Sequence, residues 1–119
     1  FDQFGVMAGC ATRVDDEVWL YYAGWSRCQG VPYHQAIGLA TSTDDGATFS
    51  RFGKGPILTR TPHEPFLHSS PYVLKVGQVY HMWYNMGMGW MPQGDAMESI
   101  YVLAHATSAD GVQWLRDGR

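Results

Sequence analysis

The sequence predicts an all-β protein: a β-propeller fragment of two four-stranded antiparallel blades. Three observations predict it. Blocks of residues recur at an offset of 62, each block breaks into four short aromatic and β-branched runs, and tight Asp/Gly turns alternate with longer connections. The whole chain, 1–119, reads as one partial propeller domain with a blade-like repeat at 1–62 and a second at 63–119.

The repeat is legible residue by residue. Leu20-Tyr21-Tyr22 falls on Met82-Trp83-Tyr84, and the same offset of 62 places Arg13-Val14 on Lys75-Val76, Phe4 on Phe66 and Asp2 on Glu64. Further along, Ala40-Thr41-Ser42 matches Ala106-Thr107-Ser108 at an offset of 66, and Asp45-Gly46 matches Asp110-Gly111 at 65. A loop insertion between the second and third apolar runs absorbs the drift. A β-sandwich would not explain this register.

In the first copy the expected strands are 4–14, 17–26, 35–43 and 47–53; in the second, 66–76, 78–86, 98–108 and 112–116. Val18-Trp19-Leu20-Tyr21-Tyr22 and Val79-Tyr80-His81-Met82-Trp83-Tyr84 are too short and too aromatic for soluble helices. The turns at 14–17, 44–46, 75–78 and 110–111 carry Asp and Gly, suited to tight hairpins. The connections 26–34 and 87–97 read as long loops. Two blades cannot close a ring, so their open flanks call for neighbours. Either further blades of a parent chain or self-assembly would cover them. The second copy stops before any counterpart of Gly55-Pro56-Ile57-Leu58, which favours a parent chain; five such repeats would span roughly 310 residues.

Composition narrows the function classes. The chain is 45% hydrophobic and 16% charged, which suits a packed fold and not a disordered one. A net charge of −3 lacks the basic footprint of a nucleic-acid partner, and no apolar run approaches the length of a membrane helix. The chain starts at Phe1 without a signal-peptide pattern, so no compartment is assigned. Cys10 and Cys28 could pair, but at no recognised spacing they read as two buried free thiols.

In an up-and-down blade, successive connections alternate between the ends of the sheet, so the tight turns share one face of the propeller and the long loops the other. The loop face is chemically loaded. It carries Trp25, Arg27, Tyr33 and His34, then Trp90, Met91, Gln93 and Asp95, with His63, Glu64 and His68 on the blade connection. Flat rings suit the apolar faces of sugars, and the polar groups suit hydroxyls. Trp25, His34, His63, His68 and Trp90 are the expected substrate-binding residues, although each singly has a plain packing or surface role. Asp2 and Glu64 occupy one repeat position just before the first strand of each blade. Two carboxylates facing a common axis would serve glycoside hydrolysis, one as acid and the other as base or nucleophile. They are the expected catalytic pair, and the alternative is two solvated loop carboxylates. No spacing resembles a zinc or calcium site, so no metal or cofactor is expected.

Ser69-Ser70-Pro71-Tyr72-Val73-Leu74-Lys75, Val79 to Tyr84 and Leu103 to Trp114 resemble the five-bladed propeller glycosidases, glycoside hydrolase families 43, 32 and 68. Leu39 to Phe49 repeats the last of these signatures. The resemblance spans about two blades of five. It implies a central pocket lined by three carboxylates, of which Asp2 and Glu64 match two positions and the third lies outside this chain. Some of these families also hold a cation in the central channel. The Arg-Asp-Pro and Glu-Cys-Pro motifs of the invertase type are absent, and Ser70 precedes Pro71 where that type has Asp. Ser42 to Phe49 is also similar to the sialidase Asp box, with Phe for Trp, which implies a hairpin brace remote from chemistry.

The expected function is cleavage or binding of a polysaccharide or oligosaccharide, glycosidase activity belonging to the complete propeller and the two blades alone being inactive. The alternative is a non-catalytic propeller module that binds carbohydrate or assembles into oligomers.

Overall fold

The computed structural model describes residues 1–116 and holds two four-stranded antiparallel sheets, with no helix among the described residues. The first is ordered β1 (Gly5–Val14), β2 (Glu17–Arg27), β3 (Tyr33–Ser42), β4 (Ser50–Arg51); the second, β5 (His68–Val76), β6 (Val79–Gln93), β7 (Ala96–Ser108), β8 (Leu115–Arg116). Each sheet is an up-and-down blade in chain order, the fold the repeat predicts.

The hairpins form where Asp and Gly stand. Val14 pairs with Glu17 around Asp15, whose φ is 52°, and Val76 pairs with Val79 around Gly77, whose φ is 62°. The third turn of each blade is built from side chains. Ser42 Oγ accepts from the amides of Asp44 and Gly46, and Asp44 accepts from the amide and hydroxyl of Thr48. Ser108 and Asp110 repeat the device, with Asp110 accepting from the amides of Val112 and Gln113 at 2.9 Å each. The Ser42 hydroxyl, donating to Asp44 Oδ1 at 2.7 Å, and then the Thr48 bonds hold the Asp44 carboxyl down at about 2, and the Gln113 and Val112 amides lower that of Asp110. These bonds also commit the Thr48, Val112 and Gln113 amides, so the fourth strands start late; β4 and β8 have two residues each and not the longer runs expected at 47–53 and 112–116.

The long connections differ more from expectation. Only residues 28–32 separate β2 from β3. The segment 87–97 is largely strand: β6 and β7 remain paired from Tyr80↔Ser108 out to Gln93↔Ala96, leaving Gly94-Asp95 as the turn. Gly87, Gly89, Pro92 and Gly94 suggest a loop, but the ladder absorbs Gly87 and Gly89 at a bulge. Pro92 is tolerated because β6 pairs with β5 only as far as Met86 and is an edge beyond it. Cys10 and Cys28 are free and half-buried, not fully buried as expected.

The two sheets pack face to face. Side chains alternate along strands, so Tyr21, Ile37 and Leu39 of the first blade face Met82, Tyr84 and Ala106 of the second, all at most 1% exposed. Leu58, Val73, Tyr80 and Met86 complete the core, and Tyr21 Oη donates to the Gly111 carbonyl across the seam at 2.8 Å. Edge strands β1 and β5 meet at matching bulges, where a Cβ on Gly9 would lie 2.7 Å from the Pro71 ring and carbonyl. Gly9→Val is therefore expected to cost about 2–3 kcal/mol through overpacking, measured by urea unfolding; Gly30→Ala, where nothing lies within 4 Å, is expected to change little.

Candidate functional site

The blade connection approaches β5 through a turn that sets the position of Glu64. The amide of Glu64 donates to the Thr61 carbonyl at 3.1 Å and to Thr61 Oγ1 at 3.0 Å, and the Thr61 amide donates back to the Glu64 carbonyl at 3.0 Å. Pro62 and His63 form the tip, with His63 exposed and Glu64 turned inward to 2% exposure.

A carboxylate so deeply buried needs compensating partners. Arg116 Nη1 on β8 donates to Glu64 Oε2 at 2.7 Å, Tyr84 Oη on β6 donates to Oε1 at 3.0 Å, and His68 Nε2 on β5 lies 2.9 Å from Oε2. An ionised carboxylate only accepts, so His68 presents its Nε2–H to it and carries the lone pair on Nδ1. Burial lowers the His68 pKa, with the nearby Arg116 cation adding to that effect and Glu64 opposing it. Arg116 Nη2 also donates to the Thr59 carbonyl at 2.6 Å, so one guanidinium holds both the carboxylate and the incoming connection.

The first blade repeats the arrangement. Asp2 Oδ2 accepts from Tyr22 Oη at 2.9 Å and from Arg51 Nε at 2.7 Å. Tyr22 and Arg51 stand in the ladder where Tyr84 and Arg116 stand in the second blade: each tyrosine is on the second strand and each arginine on the fourth. The Arg51 hydrogen bond holds the Asp2 carboxyl below its usual range, and burial with the neighbouring Asp2 pushes Tyr22 up to about 12. The difference between the copies is cover. Glu64 is enclosed between the blades, whereas Asp2 lies on the face of the first blade turned away from the second, beside Arg51 with a side chain 62% exposed.

The expected catalytic pair is thus matched in repeat position, as the sequence indicates, but each carboxylate turns over its own blade toward the fourth strand. Each carboxylate is held by its own tyrosine and arginine. Sequence reasoning missed Tyr22, Arg51, Tyr84 and Arg116 as partners. The signal was there: the tyrosines recur at the acids' own offset of 62, and the arginines at 65.

The aromatic residues do gather. Tyr33 lies 4.6 Å from Trp25 and 5.0 Å from Trp90 between ring centroids, the latter edge-on, so the cluster bridges the blades at the loop end. Strand alternation puts Trp25 and Tyr33 on the seam side and His34 on the other. His34 is half-buried, and burial first, then Arg60 and His68, lowers its pKa to about 4. Among the described residues no group of three His, Cys, Asp or Glu could hold a metal ion.

With this geometry in view, the chain can be set beside known proteins. Two solved structures share its fold: a glycosyl hydrolase from Bacteroides ovatus, with a TM-score of 0.68 and 23% identity over 92% of this chain and 29% of that one, and a candidate glycosidase from Bacteroides thetaiotaomicron VPI-5482, with a TM-score of 0.69 and 22% identity over 94% of this chain and 32% of that one. The fold is glycosidase-like. Uncharacterized protein MT1551 and Uncharacterized protein Rv1502, from two strains of Mycobacterium tuberculosis, are each 38% identical over 120 residues, all of this chain. The chain spans 39% of the length of these curated relatives. No protein-family model matches it.

Two predictions follow from the clusters. Glu64→Gln leaves Arg116 charged and uncompensated, and is expected to cost about 3–5 kcal/mol, read by chemical denaturation. In a double-mutant cycle Glu64 and Arg116 are expected to couple more strongly than the solvent-screened Asp2 and Arg51. The histidines set an acid limb. His34 and His68 have folded pKa values below the ordinary 6.5, so the stability they contribute is complete above about pH 6.5 and is lost as pH falls toward the folded values, about 4 for His34. The unfolding midpoint is expected to drop between pH 7 and pH 5, less steeply in His34→Gln. Asp2, depressed from 3.8, adds to the loss only below that window.

Proposed function

We propose that this chain is part of a carbohydrate-active propeller of glycoside hydrolase type, five-bladed when complete, that takes a polysaccharide or oligosaccharide at the loop end of its blades. The single observation that carries this reading is the Trp25–Tyr33–Trp90 cluster spanning two blades there, on a fold shared with a glycosyl hydrolase. Aromatic faces pack against the C–H faces of sugar rings; of the expected polar contacts His63 is exposed, whereas His68 is fully buried on Glu64 and His34 faces the other side of its sheet. Further blades would cover the open flanks, since the seam between the two present here buries a continuous apolar core.

Within this reading Glu64 and Asp2 act through position. Each carboxylate secures the connection that enters its blade, and the reacting carboxylates come from elsewhere in the complete propeller. The arginine partners, 2.7 Å from Asp2 Oδ2 and from Glu64 Oε2, support that division, because each gives its carboxylate a structural ion pair. A purely binding module is the second reading, favoured by the same engagement of both carboxylates.

Hydrolysis of a nitrophenyl glycoside panel by the intact protein tests the proposal. Turnover, with KM raised in Trp90→Ala and Trp25→Ala and with activity retained in Asp2→Asn, is the expected result. Glycan binding without turnover would select the binding module. Neither binding nor turnover would overturn both.

A further inference from the structure

Three non-glycine residues among those described have positive φ: Asp15 at 52°, Asp45 at 60° and Ser70 at 52°. Asp15 and Asp45 occupy tight turns, where a short polar side chain tolerates the left-handed region. Ser70 does not. It lies inside β5, and it precedes Pro71, a setting that ordinarily holds a residue in extended backbone.

Packing around Pro71 explains how the conformation is held. Ser70 and Pro71 together face one residue of β6, Tyr84, between the pairs Ser69↔Asn85 and Tyr72↔Trp83. Pro71 is fully buried against Gly9, and Tyr84 is fixed by its bonds to Glu64. The first blade bulges at the same repeat position, with Gly9 as its extra residue between Ala8↔Tyr22 and Cys10↔Tyr21, yet Ala8 shows no positive φ. The bulge is therefore a feature of the repeat, and the strained serine belongs to the second blade alone.

What the strain achieves is a presented hydroxyl. Ser70 is exposed, its side chain has no hydrogen-bond partner among the described residues, and it lines a pocket of about 210 Å³ with Met7, Ala8, Ala23 and Tyr72. Tyr72 and Met7, 56% and 53% exposed, offer apolar surface beside that hydroxyl. An apolar wall with one oriented polar group is the lining that a sugar ring, apolar on its face and hydroxylated at its rim, would match. Backbone strain kept at such a point, where a glycine would relieve it, indicates a use for the side chain.

We infer that Ser70 is a specificity-determining contact of the carbohydrate site, its hydroxyl hydrogen-bonding a ring hydroxyl of a sugar seated against Tyr72 and Met7. This rests on the carbohydrate reading above and adds a subsite to it on the edge strands, apart from the aromatic cluster. The test uses the intact protein on an array of plant and microbial oligosaccharides, followed by calorimetric titration of Ser70→Gly and Ser70→Ala with the glycan the wild type binds most tightly. Ser70→Gly is expected to keep or raise the thermal midpoint while weakening binding about tenfold, the effect of one lost hydrogen bond. Ser70→Ala is expected to weaken binding similarly; if it fails to fold, the glycine variant decides alone. A Ser70→Gly protein that binds as tightly as wild type would show that Ser70 is only a bend in the strand, with the carbohydrate reading intact. A wild type that binds no glycan would remove that reading and the Ser70 role together.

Discussion

A negative charge buried between two sheets is the constraint around which the seam is organised. Glu64 has given up its water, and the energy of that desolvation is recovered only if Arg116, Tyr84 and His68 all stay in place. They come from the fourth, second and first strands of one blade, and Glu64 itself comes from the connection entering it. One carboxylate thus ties the incoming chain to three strands. The Arg116 bond to the Thr59 carbonyl closes the arrangement on the connection's other side. Because the first blade repeats the carboxylate, tyrosine and arginine at Asp2, Tyr22 and Arg51, without the histidine, that part of the clasp belongs to the repeat and not to a single site.

This bears directly on how function is read from an acidic pair. Matching carboxylates at the start of successive blades suggest paired chemistry at a shared axis. Matching tyrosines and arginines that engage those carboxylates suggest paired architecture. The second observation is geometric and constrains the first. What differs between the blades is His68 where the first blade has Val6, Ser70 where it has Ala8, and the Trp90 hairpin, which reaches past the end of β5 to meet Tyr33.

The strand order and most hairpins were legible because they depend on local signals. Alternating aromatic runs, Asp-Gly turns and the paired Ser/Asp braces specify a blade within about 50 residues of chain, and each copy repeats them. Two things were not legible. Glycine and proline at 87–94 mark a loop by composition, but a bulge and an unpaired strand edge let the ladder continue through them. Side-chain direction was the other: nothing near Asp2 or Glu64 in sequence shows that each points across its blade to an arginine 49 or 52 residues later. Only the repeat could reveal those partners, since the arginines recur almost in step with the acids.

If the clasp holds the incoming connection to the blade, opening of the Thr61–Glu64 turn must await loss of the seam itself. Native-state hydrogen exchange of the Glu64 amide, bonded to the carbonyl and hydroxyl of Thr61, measures this most directly. The account predicts exchange with the same free energy and denaturant dependence as the core amides of Met82 and Tyr84. Exchange of Glu64 through a low-energy local opening, while those core amides remain protected, would contradict it.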